Sequence, residues 1–470
     1  MLPTPRSYMI WPSVVPADTK VTMTVTAAER AYLLIEGENY SLTVISVNSD
    51  ENYYNPTNHK KISALACGGA LSFDFEFSGE GEHRIELMRG EKVISSFTVY
   101  SLMPDLYSLL PLRGDLHSHS CRSDGTRDPA SQAGHYREQG YDFVALTDHN
   151  RYYPGTEIDE AYIGVNTGLV RITGEEVHSP DSVVHIVHVG GKESVADRYV
   201  NHREEYEKTI SEYMQKVPDT IPEAYKSRYA KAMWATDAIH SVGGIAIFPH
   251  PFWRPGGAKT FNLQKELAEV FIGSGMFDAY ELIGAMSQED LNRSVAMWSD
   301  MRAAGNKISV VGSSDVHGLE RSNQFPYNST VCFAKEKNAD SIIEAVKSGL
   351  SVAVEMNGYE YDVQYRCYGE YRLVSYAQFL LRNYFPLLRR LTAGAGVAMR
   401  AYLMGGIGAS VINAYTEMAD DFTAKFFGKK APTLPSPEIL AFEEKWRAVQ
   451  LNGPKTRGSA VDSTPAPSLI

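Results

Sequence analysis

The chain has 470 residues, which at about 150 residues per domain predicts about three domains. A hydrophobic share of 43% and a charged share of 22% exclude a mainly disordered chain, a collagen-like chain and a membrane protein with many spans. Lys and Arg number 45 against 57 Asp and Glu, and the net charge of −12 argues against a protein that binds duplex nucleic acid through phosphate contacts.

The cysteines and the apolar stretches indicate the cellular compartment of the protein. The chain has four cysteines, Cys67, Cys121, Cys332 and Cys367. They stand far apart without a CxxC pair, which argues against a disulfide framework and a cysteine zinc site. Residues 1–20 show no signal-peptide pattern, and Arg400 with five glycines interrupts the apolar stretch 391–412. We therefore predict a cytoplasmic protein without a membrane span.

Residues 21–100 alternate apolar and polar side chains in short runs such as VTMTVTA and LSFDFEFS. This period of two, with Gly, Asn and Asp between the runs, is typical of antiparallel strands with one buried face. The pattern predicts a small β-sandwich that serves as an accessory domain over residues 1–107.

Short apolar strands then alternate with helical stretches. FVALTDH, GIAIFPHP and ISVVGSSDVH each indicate a buried strand that runs into a polar loop. Repeated strand and helix units predict a parallel sheet or barrel with its chemistry at the C-terminal strand ends. We predict a multidomain α/β protein with this domain at 108–360, a helical insertion at about 193–231 that could cover the site, and a helical C-terminal region with a disordered tail at 361–470.

The run DLHSHS places His117 and His119 two residues apart. On an extended strand both imidazoles lie on one face, where they can reach the same metal ion. Asp124 follows in a turn from which its carboxylate can swing back toward them. Asp148 and His149 come next, at the end of the apolar run FVAL, where a capping aspartate beside a structural histidine is the alternative interpretation.

The next two strands each offer a choice of residue. Glu175 and Glu176 are adjacent, and both are acids near a strand end. His185 and His188 are an odd number of positions apart, so they point to opposite faces of a strand and only one is expected to be a ligand.

Two later strand ends carry further candidate ligands. His250 stands between two prolines that fix its backbone. Asp315 and His317 form an Asp-x-His pair on one face. Each cluster alone has a structural interpretation, but their succession at consecutive strand ends predicts a metal site.

The order DLHSHS, SDG, LTDHN, GEEV, HIVHVG, FPHP and SSDVHG resembles the polymerase and histidinol phosphatase (PHP) superfamily of metal-dependent hydrolases. The resemblance covers about residues 113–355, roughly half the chain. RGDLHSHSCRSDG behind a β-domain looks most like the carbaryl-hydrolase-type branch. The resemblance implies a distorted seven-stranded β/α barrel, (β/α)7, with nine ligands around two or three divalent metal ions.

Carried over position by position, the resemblance implies the ligands His117, His119, Asp124, His149, Glu176, His185, His250, Asp315 and His317. It favours Glu176 over Glu175 because the family's glutamate precedes a small β-branched residue. It favours His185 over His188 because the family's histidine opens an apolar run that ends in glycine.

The resemblance also implies three groups of ligands. His117, His119 and Asp315 would hold one metal, and His185 with His250 a second. Glu176 would bridge these metals. The third group would be Asp124, His149 and His317. A set rich in histidine and carboxylate, without thiolate, suits zinc, manganese or iron.

Five residues are candidates for other roles, and two of them, Asp315 and His317, are also among the ligands. We expect Asp315 or His317 to assist proton transfer to the leaving group, and Asp148 to orient a neighbouring histidine. Arg151 and Arg254 are candidate clamps for a phosphate, with a surface ion pair as the alternative for each.

The leading hypothesis is a phosphoesterase that acts on a small phosphorylated or nucleotide-type substrate through a metal-activated water. The alternatives are a carbamate, amide or carboxylic ester hydrolase, and a metal-binding module without turnover. The helical C-terminal region offers a possible homo-oligomer contact. Exonuclease activity is disfavoured because the acidic chain lacks a basic stretch interleaved with aromatic residues.

Overall fold

The computed structural model describes residues 7–48, 59–255, 258–318, 325–357 and 363–452. These residues fall into two compact units. One unit is Ser108–Ala419, and the other combines the described parts of Pro3–Tyr107 and Asp420–Ile470. The tail predicted to be disordered, from residue 453 onward, lies outside the described residues, and the three predicted domain limits stay predictions.

The strands of the first sheet are β1 (Tyr8–Trp11), β2 (Val14–Pro16), β3 (Lys20–Ala27), β4 (Asn39–Ser46), β5 (Lys60–Cys67), β6 (Ala70–Glu76), β7 (Gly81–Arg89) and β8 (Lys92–Leu102). Those of the second sheet are β9 (Leu110–Asp115), β10 (Phe143–Leu146), β11 (Val170–His178), β12 (His185–Gly190), β13 (Gly244–Phe248), β14 (Ala279–Ile283), β15 (Ser309–Gly312), β16 (Asn328–Ala334), β17 (Ser351–Asn357) and β18 (Gln364–Tyr368).

The helices of the described ranges are α1 (Pro104–Tyr107), α2 (Pro129–Glu138), α3 (Thr156–Ala161), α4 (Asp197–Val200), α5 (Arg203–Met214), α6 (Glu223–Ser241), α7 (Lys265–Gly273), α8 (Gln288–Ala303), α9 (Ala339–Lys347), α10 (Tyr371–Asn383), α11 (Phe385–Leu403), α12 (Ala409–Phe426) and α13 (Pro437–Asn452). Short 3-10 turns lie at Arg30–Tyr32 and Tyr153–Gly155. Among the described helices, none combines the length and the apolar character that crossing a bilayer requires.

The smaller unit is built on one continuous sheet in the order β1-β3-β6-β5-β4-β7-β8-β2. Strand β5 makes it continuous, because its first part pairs with β4 and its end pairs with β6. In β7, alternate residues from Gly81 to Leu87 are buried, as the period of two predicts. Met23 and Val25 of β3 share one apolar core with Leu42 of β4 and Ile85 of β7, so the two halves of the sheet enclose a common core.

His83 makes this smaller unit sensitive to acid. Burial, with a smaller contribution from Lys60, lowers the pKa of His83 to about 4, against about 6.5 in an unfolded chain. The unfolded state therefore takes up a proton as the pH falls from 6.5 to 4, whereas the folded state stays neutral. The free energy of unfolding is therefore highest above pH 6.5 and decreases as the pH falls toward 4. At pH 5 the decrease is about 2 kcal/mol.

We expect His83→Gln to flatten that pH dependence. The measurement is hydrogen exchange of peptides from β7 and β8 at pH 7 and pH 5, with wild type and variant compared at each pH. Equal loss of protection at pH 5 in both proteins would contradict the assignment to His83.

The larger unit is built on a ten-stranded sheet in the order β15-β14-β13-β12-β11-β10-β9-β16-β17-β18. Strands β10 and β14 are buried along their whole length, as continuous apolar runs predict for a sheet covered on both faces. The sheet is curled: the Asp315 nitrogen donates to the His117 carbonyl, and Ser351 Oγ donates to the Val310 carbonyl. The edge strand β15 and the residues that follow it thereby contact β17 and the residues after β9. The seven-stranded barrel stays a prediction.

The sheet is not entirely parallel, which corrects the simplest expectation from the alternating pattern. Strand β12 runs antiparallel to both β11 and β13. The cause is the short connection at 179–184, because a parallel crossover needs about a dozen residues. Strands β16 to β18 add an antiparallel extension beyond β9.

The glycines of α11 allow it to pack closely on α2. A Cβ at Gly396 would overlap the Glu138 nitrogen and the Gly134 carbonyl oxygen. We expect Gly396→Ala to lower the free energy of unfolding by about 1–3 kcal/mol, as overpacking does elsewhere. Gly408→Ala is the matched control, because its nearest neighbour, Ser410 Oγ, lies 3.8 Å away. Denaturant unfolding of both variants checks this, and equal effects would contradict the close-packing explanation.

Candidate metal centre

All predicted ligands lie at one end of the larger sheet. Strands β9, β10, β11, β13, β14 and β15 run in the same direction, so their carboxyl ends meet at one edge. His117 and His149 follow β9 and β10, and His250 and Asp315 follow β13 and β15. His185 joins them from the start of β12, because that strand runs the opposite way and pairs with the end of β11.

The first group contains His117, His119 and Asp315. The Asp315 Oδ1 atom lies 2.9 Å from His119 Nε2 and 3.3 Å from His117 Nε2. Glu176 Oε2 lies 3.3 Å from each of the same two nitrogens. One nitrogen or oxygen from each of the four residues therefore borders a common point.

Glu176 connects this group to a second one. Its other oxygen, Oε1, lies 2.8 Å from His185 Nδ1 and 3.4 Å from His250 Nε2. The third group surrounds Asp124, whose oxygens lie 3.4 Å from His149 Nε2 and 3.3 Å from His317 Nε2. The structure thus brings the nine predicted side chains together in three adjoining groups.

The residues fit divalent cations by a test that is independent of the motifs. Within the described residues, Glu176 Oε1, His185 Nδ1 and Asp315 Oδ1 are buried and make no hydrogen bond with an acceptable angle, although they lie within 3 Å of other nitrogen or oxygen atoms of the cluster. Buried polar atoms are nearly always hydrogen-bonded, because leaving one unpaired costs about 1–3 kcal/mol. These atoms instead point toward one another, as ligand atoms do around an ion, and the nitrogen and oxygen donor set suits zinc, manganese or iron.

The electrostatics keep the carboxylates of the centre ionised. Burial alone raises the pKa of Glu176 and of Asp315, but the neighbouring imidazoles outweigh it and hold both pKa values below the usual range. Burial lowers the pKa of His119, and Asp315 and Glu176 reverse this and raise the pKa to about 9. Burial lowers the pKa of His185 to about 4. The ionised carboxylates are in the state that metal binding requires.

Backbone strain is concentrated at the same place. Five non-glycine residues in the described ranges have a positive φ, and three of them, Asn150 (54°), His250 (25°) and Asp315 (47°), lie at these strand ends. L-residues adopt such angles at a cost of about 1–3 kcal/mol, and the strain is common at functional sites. Two of the predicted ligands are thus held in conformations that the packing must enforce.

The alternatives Glu175 and His188 lie on the opposite face of their strands. His188 Nδ1 lies 3.2 Å from Glu175 Oε1, which also accepts a hydrogen bond from the Val195 nitrogen. Glu175 Oε2 accepts one from Ser194 Oγ. This buried network connects β11 and β12 to the loop before α4, while Glu176 and His185 face the centre.

Asp148 accepts hydrogen bonds from two serines of a loop that borders the centre. Its oxygens accept from the Ser120 nitrogen (2.9 Å), Ser120 Oγ (2.8 Å) and Ser123 Oγ (2.6 Å). These bonds hold the loop between His119 and Asp124, two of the predicted ligands. The predicted role of Asp148 in orienting a neighbouring histidine stays a prediction.

The two predicted arginines differ in their surroundings. Arg151 is exposed and borders a groove of about 440 Å³ together with Arg122, Asn150 and Tyr152. Arg254 donates to Asp290 Oδ1 at 3.1 Å and stacks on the Phe261 ring, so a carboxylate already occupies its guanidinium.

Two residues that contact the centre are not among those predicted from the sequence. His178, which belongs to none of the sequence motifs above, lies 3.4 Å from Glu176 Oε1 through its Nε2 atom. Its position two residues after Glu176 on one strand was a usable signal. Glu281 of β14 lies 2.8 Å from His117 Nδ1. No local motif marks Glu281, because its partner is 164 positions away in the chain.

No protein-family model matches the chain, and no curated protein matches it. Solved structures do match. In structure, the chain is similar to PHP-like metal-dependent phosphoesterases.

One of these structures is a two-domain protein from Bacteroides vulgatus that contains a predicted PHP-like metal-dependent phosphoesterase. It shares 18% identity over 57% of this chain and 78% of its own, with a TM-score of 0.36. A protein from Bifidobacterium adolescentis, assigned as a metal-dependent phosphoesterase, shares 18% identity over 50% of this chain and 96% of its own, with a TM-score of 0.34.

An amidohydrolase from Chromobacterium violaceum, with bound sulfate and no metal, shares 19% identity over 44% of this chain and 88% of its own, with a TM-score of 0.30. The descriptions of these three structures give the carbaryl-hydrolase-type branch no support.

Proposed function

We propose that this protein is a metal-dependent hydrolase, and specifically a phosphoesterase that acts on a small phosphorylated or nucleotide-type substrate. The observation that carries the proposal is the convergence of nine histidine and carboxylate side chains into three adjoining groups, the first two of which share Glu176. A distorted barrel built from β9 to β15 would hold this arrangement at its C-terminal end.

The three groups would hold two or three divalent ions of zinc, manganese or iron. His117, His119 and Asp315 form the first site, and His185 with His250 the second, with Glu176 between them. Asp124, His149 and His317 form the third. When bound, such ions activate water as a nucleophile and neutralise the charge that develops on the substrate.

The third group forms the open side of the centre. The side chains of Asp124 and His317 are 54% and 39% exposed, whereas His117, His119 and Glu176 are buried. A substrate would therefore approach along Asp124 and His317. The groove beside Arg151 begins one residue beyond His149 and has room for a small molecule.

We assign proton transfer to the leaving group to His317, with Asp315 as its support. His317 Nδ1 lies 2.9 Å from the Asp315 carbonyl oxygen and donates to it, so Nε2, on the side of Asp124, is the atom that would take up a proton from solvent and pass it to the leaving group in molecules whose third group holds no ion. His317 is also the more exposed of the two side chains, which gives its imidazole access to substrate and solvent.

The two arginines are expected to differ in their effect on substrate binding. Arg151→Ala removes an exposed cation beside the groove, so we expect KM for a phosphomonoester to rise about tenfold with little change in kcat. Arg254→Ala serves as the matched control, because Asp290 already pairs with that guanidinium. Steady-state kinetics of both variants decide this, and a larger rise in KM for Arg254→Ala would reverse the assignment.

The experiment that tests the function compares substrates on one metal-loaded preparation. We expect turnover of a phosphomonoester panel that includes mononucleotides, and loss of that turnover with a chelator. A phosphodiester, an aryl carbamate and an aryl amide complete the panel. Turnover of the carbamate or amide alone would replace the phosphoesterase proposal, and complete inactivity would leave a metal-binding module without turnover.

A further inference from the structure

We propose that His178 is an additional metal ligand, which with His149 and Glu176 forms a fourth ion position beside the three groups. This inference rests on the proposed metal centre but not on its catalytic activity. One ligand atom from each of the three residues lies within 4.8 Å of the others. His178 belongs to none of the motifs on which the family resemblance depends.

Strand geometry directs His178 toward the centre. Glu176 and His178 are two residues apart on β11, so their side chains share a face. His178 is also the antiparallel partner of His185 on β12. The two imidazole rings stack with centroids 3.8 Å apart and planes at 29°, and each presents a nitrogen to Glu176 Oε1.

The nitrogen that faces Glu176 is available for a ligand. Within the described residues, His178 Nε2 is buried and has no hydrogen-bond partner. Two histidines outside the centre do have a partner at this atom: His83 Nε2 lies 2.8 Å from Ser101 Oγ, and His240 Nε2 lies 2.7 Å from Asp278. A buried imidazole nitrogen without a partner is costly, and a bound cation would satisfy it.

The backbone of His178 is held in place independently of any metal. Its nitrogen donates to Asn150 Oδ1 at 2.8 Å, and the same oxygen accepts a hydrogen bond from Tyr199 Oη at 2.5 Å. Asn150 directly follows His149. This connection fixes the end of β11 against the loop that carries His149, so the two imidazoles are positioned together.

His149 connects the new position to the third group. Its Nδ1 atom lies 2.9 Å from Glu176 Oε2, whereas its Nε2 atom lies 3.4 Å from Asp124 Oδ2. A neutral imidazole has one nitrogen lone pair to give. His149 can therefore serve the group of Asp124 or the group of His178, but not both at once.

The test measures Co²⁺ binding directly. Apo protein is titrated with Co²⁺, and bound Co²⁺ is followed by its visible absorption and by metal analysis after equilibrium dialysis. We expect His178→Ala to weaken binding of one ion at least about tenfold and to change the absorption spectrum. His202→Ala is the control, because it removes an exposed histidine from the start of α5.

Combining His178→Ala with His317→Ala tests whether His149 is shared between the two groups. In His317→Ala the third group has lost a ligand, so His149 is free to serve the position of His178. We expect the His178→Ala substitution to cost more Co²⁺ affinity in this background than in wild type. Unchanged affinity and spectrum in both backgrounds would overturn the proposal.

Further measurements distinguish a loss of Co²⁺ binding from misfolding and from a lack of hydrolytic activity. Circular dichroism reports whether His178→Ala folds. If His178→Ala does not fold, His178→Gln is used instead, because glutamine better preserves the shape of the side chain. Because glutamine is a weaker ligand, we expect weaker Co²⁺ binding in the folded Gln variant, and wild-type binding would overturn the proposal. Co²⁺ binding needs no turnover, so an inactive but Co²⁺-binding protein would count against the phosphoesterase and leave the role of His178 intact.

Discussion

Glu176→Gln is expected to dismantle the metal centre while the fold persists. The two carboxylate oxygens of Glu176 lie within 3.4 Å of nitrogens from six histidines, namely His117, His119, His149, His178, His185 and His250. An amide lacks the negative charge and the second acceptor oxygen that join the groups. We expect metal affinity to fall at least about 100-fold, and hydrolytic activity with it.

The adjacent residue provides a matched control. Glu175→Gln makes the same chemical change at a buried site on the opposite face of β11, where the carboxylate accepts hydrogen bonds from Ser194 and Val195. We expect it to lower the free energy of unfolding by about 1–3 kcal/mol and to leave metal content unchanged. Metal analysis and denaturant unfolding of both variants check this, and equal metal loss in the two would show that Glu176 acts only through the fold.

The sequence could predict this cluster of candidate ligands because its residues follow a rule of chain geometry. Residues that follow parallel strands gather at one edge of a sheet whatever their distance along the chain. His117, His149, His250 and Asp315 are each the polar continuation of a buried apolar strand, so local patterns were enough to place them together. The choice of Glu176 and His185 relied on the family resemblance, and the alternation of side chains along a strand supplies its physical reason.

Other features depend on contacts that no local pattern contains. Strand β16 joins the sheet beside β9 through pairings between residues more than 200 positions apart, such as Cys332 with Leu112, and β17 and β18 continue the sheet from there. The hydrogen bonds of Asp148 go to serines of a loop whose path the sequence does not reveal. The C-terminal region divides between the two units after Ala419 in the middle of α12, where composition does not change.

Glu281 gives the second large expected effect, because it fixes the orientation of His117. Glu281 is buried on β14, and its Oε2 atom lies 2.8 Å from His117 Nδ1. A hydrogen bond there keeps the proton on Nδ1 and leaves the Nε2 lone pair facing Glu176 and Asp315, each 3.3 Å away. A Cβ at Gly284 would overlap Glu281 Oε1, so the glycine leaves room for the carboxylate.

We expect Glu281→Ala to weaken metal binding about 10–100-fold, the usual effect of losing a hydrogen-bond partner of a ligand. Glu281→Gln should restore part of the affinity, because its amide oxygen still accepts from Nδ1. Glu355→Gln is the control for altering a buried acid on the same sheet, since Glu355 of β17 pairs with Arg366. The measurement is Co²⁺ titration beside denaturant unfolding. If Glu281→Ala loses stability but binds Co²⁺ as tightly as wild type, Glu281 contributes to packing and His117 is oriented by other contacts.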